Sequence, residues 1–134
     1  MHTRLDSRWV GGSGNAIGIL NGNDVLVGGV TYTQWNGANI VVDIAVEAKR
    51  WCTPDILYCL FSFPFEQLGC KRMTAPIAAS NKRSIKFVEH LGFTLEATLK
   101  DACKDGDMLL YSMTKEKCRW LTRPQVLPRI LNNG

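Results

Sequence analysis

Apolar and polar positions along the chain change period several times, and each change marks an element. Residues 16–20 and 25–35 carry the apolar and β-branched runs of strands, separated by Asn21-Gly22-Asn23-Asp24. Asn and Gly accept positive φ, so that tetrapeptide predicts a hairpin turn. Gly28-Gly29 lies inside the second run and predicts a bulge. Asn36-Gly37-Ala38-Asn39 predicts a second turn, and residues 40–46 are almost continuously apolar, as in a central strand. The period then becomes helical. Thr53-Pro54-Asp55 is a start signal: a cap, a proline in the first turn, and an acid near the positive end of the helix dipole. Ile56, Leu57, Leu60, Phe61, Phe65 and Leu68 make the apolar face, Gly69 ends it, and Pro64 predicts a kink.

Residues 72–79 return to a strand pattern despite Pro76. From Asn81 the chain is helical again, with Ile85, Val88 and Leu91 at helical spacing and Gly92 where a left-handed terminator belongs. Residues 93–102 and 107–114 read as strands joined by the turn Lys104-Asp105-Gly106-Asp107. Residues 115–121 predict a closing helix. The flanks read as an N-terminal arm over 1–15 with Trp9 as its anchor, and a tail over 122–134. The order is three antiparallel strands, helix, strand, helix, two strands. That is an α/β fold around a mixed, mostly antiparallel sheet, in one domain covering 1–134.

Composition narrows the class. The 134 residues are 46% hydrophobic and 21% charged, enough for one core and too few for two. No apolar run approaches the roughly 20 residues of a membrane span, and the N-terminus lacks a signal-peptide core. The expected location is therefore the cytoplasm, with no membrane partner. Five cysteines, an odd count without a Cys-x-x-Cys, indicate neither a disulfide framework nor a zinc site. Buried thiols in a reducing compartment fit, and no metal is expected. The net charge of +4 suits an anionic ligand, and nothing in the basic tail asks for nucleic acid. Two helix starts sit beside cations: Thr53 after Arg50, and Asn81 before Lys82, Arg83 and Lys86. Free amides with cations nearby attract phosphate groups.

The stretch from Asn81 through Ser84 and Phe87 to Gly92-Phe93 resembles the signature of the GCN5-related N-acetyltransferases, the GNAT family. That signature has Asn, a small residue three on, an apolar or aromatic residue six on, and Gly-Phe eleven and twelve on. The following Thr94-Leu95-Glu96-Ala97-Thr98-Leu99-Lys100-Asp101-Ala102 resembles the subgroup that acetylates ribosomal-protein N-termini, and the short chain resembles bacteriophage-encoded forms. Residues 16–114 follow the family's order of elements, except that its first two helices have no room here.

The resemblance implies a GNAT fold with helices on both sides of the sheet but lacking those two. It implies acetyl transfer from acetyl-CoA to an amine by direct attack. An open acceptor groove points to a protein N-terminus or lysine, and the uncovered surface to a homodimer or a recruited partner. For the coenzyme it implies contacts from Ile44 and Val46 to the pantetheine, and from Arg50, Trp51, Cys52 and Thr53 to the pyrophosphate. Trp51, Pro54 and Ile56 stand where that family loop carries Gln or Arg, Gly, and a small residue. Asn81 would contact the pantetheine arm. Phe87 would pack near it or serve the core. Ser84 would protonate the departing thiolate or simply stabilise the helix start; the family's usual tyrosine is Val88 here. The general base stays open among Asp43, Glu47, Asp101 and water. The alternative is a catalytically weak protein of the same fold that acts by binding a partner.

Overall fold

The computed structural model describes residues 4–10, 14–20, 26–46 and 54–121. Seven strands form one sheet in the order β1-β2-β3-β4-β5-β7-β6. They are β1 (Arg4–Val10), β2 (Gly14–Leu20), β3 (Leu26–Thr33), β4 (Asn39–Val46), β5 (Arg72–Ala78), β6 (Thr94–Cys103) and β7 (Gly106–Thr114). β4 and β5 run parallel, and every other neighbouring pair is antiparallel. The helices are α1 (Pro54–Ser62) and α2 (Lys82–Leu91).

Several expectations are corrected. Residues 4–10 lie in the stretch read as an arm, yet they are an edge strand, paired along its whole length with β2. An edge strand needs backbone pairing on one side only, so a polar sequence such as Arg4-Leu5-Asp6-Ser7-Arg8 serves. The bulge falls at Val27, skipped between Ile19↔Gly28 and Leu20↔Leu26, just ahead of the glycine pair. Pro64 does not simply kink α1. The helix widens into a π-helical turn over Phe63–Gln67, in which Leu68 N–H reaches back five residues to Phe63 C=O at 3.0 Å. The expected closing helix is two 3₁₀ turns, Lys115–Lys117 and Arg119–Leu121, because Cys118 between them is extended and buried. The hairpin signal at Asn21–Asp24 lies outside the described residues.

One core holds the fold together. Val30, Tyr32, Ile40, Val42, Met73, Ala75, Ile77, Tyr111 and Met113 alternate along their strands onto one face. Ile56, Leu57, Leu60 and Phe61 of α1 and Val88 and Leu91 of α2 pack on that same face. Helices were expected on both sides; among the described residues both lie on this one. Right-handed crossovers from β4 to β5 and from β5 to β6 put them there. Only three residues separate β1 from β2, so no helix fits between them. The opposite face carries half-exposed Thr33, Val41, Thr74, Pro76, Met108 and Leu110, with Asp43 and Leu99 exposed. No described helix covers it.

Candidate active site

β4 and β5 pair at Asn39↔Arg72, Ile40↔Met73 and Val41↔Thr74, and then the pairing stops. Both strands continue, β4 to Val46 and β5 to Ala78. Two parallel strands that cease to pair leave a cleft between them with free backbone groups on its walls. Its lining is Val42, Asp43 and Ile44 from β4, Ala75 to Ala78 from β5, and Asn81, Ser84, Phe87 and Val88 from α2. The cleft holds about 90 Å³.

The sequence positions α2 over the cleft. Asn81 caps it: its Oδ1 accepts from Ser84 N–H at 3.2 Å. Gly92 stops it in the left-handed region at φ 109°, with Gly92 N–H and Phe93 N–H both bonded to Val88 C=O. A side chain at Gly92 would also meet Arg119, whose Nη1 would lie 3.3 Å from the added Cβ. The last turn is tied from outside. Trp120 Nε1 donates to Leu91 C=O at 2.8 Å and Arg119 Nη2 to His90 C=O at 2.7 Å. Tyr111 on β7 donates to Glu89 at 2.8 Å; burial first, and then the Glu89 carboxylate, pushes its pKa up and keeps it a donor. α2 is thus fixed at both ends, and its first turn meets the mouth of the cleft.

Of the residues expected at the site, Asp43, Ile44, Asn81, Ser84 and Phe87 all line this cleft. Ser84 is half-buried there and Asp43 is exposed on the uncovered face. Strand alternation puts Asp43 opposite in direction to Val42 and Ile44, so the cleft has two sides. α2, Val42 and Ile44 bound one, and Asp43 with Pro76 and Ala78 the other. Val46 ends β4, opposite Gly28 of β3. Glu47, Arg50, Trp51, Cys52 and Thr53 lie outside the described residues. Asp101 is on the β6–β7 hairpin, left-handed at φ 56°, with its N–H bonded to Asp107 Oδ1 at 3.0 Å, and is not among the lining residues. Sequence reasoning missed Val42 and residues 75–78 as cleft walls. Pro76 inside a strand pattern was the available signal.

The family model for the acetyltransferase (GNAT) domain matches residues 1–113. The chain belongs to the GNAT acetyltransferase family. It is therefore an N-acetyltransferase, and acetyl-CoA is the co-substrate that its family uses. No curated protein matches the chain. Among solved structures it is similar to a chimera of the spermidine N-acetyltransferase SpeG from Vibrio cholerae with hSSAT. That likeness has 14% identity and a TM-score of 0.68, over 82% of this chain and 71% of that one. It is also similar to the dodecameric Vibrio cholerae spermidine N-acetyltransferase and to SpeG from the same organism in complex with manganese ions. Each has 14% identity and a TM-score of 0.65, over 80% of this chain and 68% of that one. At such identity the likeness is one of fold. Among the described residues no group of three or more His, Cys, Asp or Glu could hold a metal ion, and no helix is long and apolar enough to cross a membrane.

Proposed function

We propose that this protein acetylates a primary amine of another protein, an N-terminus or a lysine, with acetyl-CoA bound in the β4–β5 cleft. The observation that carries the reading is the uncovered face beside the cleft. An acceptor can lie flat across it, and the half-exposed row of Met108 and Leu110 with exposed Leu99 offers an apolar bed. The same surface would serve a second copy of the chain.

The chain's own residues have separable tasks in this reading. Ile44 and the walls of β4 align the pantetheine arm. Asn81 and the amides of the first turn of α2 hold its polar groups, with exposed Lys82 and Lys86 beside them. Asp43, on the acceptor side, attracts the ammonium form of the amine and takes its proton. The amine nitrogen then forms a bond to the thioester carbonyl carbon as the carbon–sulfur bond breaks. Ser84, on the coenzyme side, gives its proton to the departing sulfur, and the second proton that the nitrogen sheds as the amide forms returns to the serine oxygen, so that neutral amide, thiol and serine remain. Most of the acceleration comes from holding the two reactants across one narrow cleft.

The test offers acetyl-CoA with three acceptor sets: peptides with free N-termini, N-terminally blocked peptides containing lysine, and spermidine. Products are read by mass spectrometry. Acetylated peptides and untouched spermidine are expected. Spermidine as the sole acceptor would refute the protein-acceptor reading. Asp43→Asn should lower kcat/KM for the acceptor while coenzyme affinity stays the same.

A further inference from the structure

We propose that Pro76 is the wedge that parts β4 from β5, so that a missing backbone proton opens the coenzyme cleft. The inference rests on reading that cleft as the coenzyme site. The hydrogen-bond register supplies the argument. Just outside the two ends of β5, Lys71 C=O accepts from Lys115 N–H at 3.0 Å and Ala79 N–H donates to Asp107 C=O at 2.9 Å; Lys71 N–H, at the strand's entry, shares Ala38 C=O at 2.7 Å, and within the strand the register set by those two bonds turns the odd-numbered residues to β7. Even-numbered ones face β4, as Arg72 N–H donating to Ala38 C=O at 3.2 Å shows. Stepping by two along both strands, Thr74 faces Ile40 C=O, and position 76 faces Val42 C=O.

Position 76 is proline. It has no proton to donate, and its ring methylene cannot approach a carbonyl as closely as an N–H does. Pairing between the strands ends one step earlier, at Val41↔Thr74. On the other side Pro76 sits opposite Leu110 of β7, and its nitrogen points away from that partner, so the β5–β7 ladder runs unbroken to Ala78↔Met108. The parting does not originate in β4. That strand pairs with β3 without a register break from Val41 to Val46. Pro76 therefore removes the first rung past Val41↔Thr74, where zipping would have to continue, and leaves Val42 C=O facing the cleft without a donor from β5. Proline is rare in central strands because it forfeits such a rung; here the forfeited rung lies where a ligand has to enter.

The test restores the proton. Pro76→Ala and Pro76→Val are compared with wild type in two measurements. The first is amide exchange at residue 76 without coenzyme, read by NMR. The second is coenzyme A affinity by calorimetry. The restored amide should be protected as β4 and β5 zip by one rung. Affinity should fall about fivefold to tenfold, the worth of one backbone hydrogen bond that must open for binding. A different imino acid at this position, also lacking the proton, should keep wild-type affinity. An amide at 76 that exchanges at the free-peptide rate, or affinity that does not change, would overturn the proposal. If wild type itself fails to bind coenzyme, the coenzyme reading falls, and the exchange measurement alone judges whether Pro76 parts the strands.

Discussion

Replacing Ser84 by alanine separates chemistry from scaffold, because the structure divides the residue's two parts. The cap uses Ser84's backbone N–H, 3.2 Å from Asn81 Oδ1, and alanine keeps that N–H. Alanine is also the better helix former, by a few tenths of a kcal/mol. Stability should therefore shift by less than about 0.5 kcal/mol. For a chain of this size that is about 2 °C or less in Tm. Ser84 lines the cleft, and in the proposed reaction its proton matters only as sulfur departs, so the loss falls on the transition state. A thiolate is a good leaving group, which sets the expectation at the low end for general acid catalysis. That is about 10²-fold in kcat, or about 2.7 kcal/mol of barrier. Asn81→Ala takes the complementary path. It removes the cap, costs about 1 kcal/mol and about 4 °C in Tm, and weakens coenzyme binding as well. The assay follows acetyl-CoA consumption by chromatography with the acceptor from the peptide panel, since a thiol reagent would also count the protein's five cysteines. Calorimetry and thermal melts complete the comparison. Wild-type kcat in Ser84→Ala, or a fall in coenzyme affinity matching that of Asn81→Ala, would refute the assignment of Ser84 as proton donor.

Three further outcomes are expected. Trp120→Phe keeps the ring but loses the bond from Nε1 to Leu91 C=O, and should lower stability by about 1 kcal/mol in denaturant unfolding. Gly92→Ala forces a side chain into the left-handed region beside Arg119 and should cost about 1–2 kcal/mol; an unchanged melting temperature would contradict the capping geometry. Glu96 is held below the usual carboxylate range, first by its hydrogen bond from Arg72 and then by Ser112. Its folded pKa is depressed, so its contribution is present above the ordinary glutamate pKa and disappears as pH falls through the folded value. Glu96→Gln should flatten the acid limb of a stability–pH curve, slightly, because the pair is solvent-exposed; an acid limb as steep as that of wild type would contradict this.

The sequence by itself carried the local features. Asn81 and Gly92 bracket α2, because capping and left-handed termination are properties of single residues. The turns at Asn36-Gly37 and Asp105-Gly106 fall where their φ preferences require. The family signature marked Ser84 and Phe87 before any fold was in hand. What depended on distant partners was not legible. β1 has no strong pattern of its own and exists because β2 offers a free edge. Both helices share one face because crossovers between parallel strands are right-handed, a constraint on the path of the chain rather than on any residue. The π-helical turn at Phe63 arises where Pro64 meets a buried core that keeps the chain wound. The cleft is the clearest case. Its walls are Val42 and Ile44, which read as ordinary core positions, and Pro76, which read as a flaw in a strand. Only register decides that the missing proton of Pro76 points toward β4 and not toward β7. Register is set by the whole sheet, because a shift of one residue reverses the direction of every backbone group in the strand.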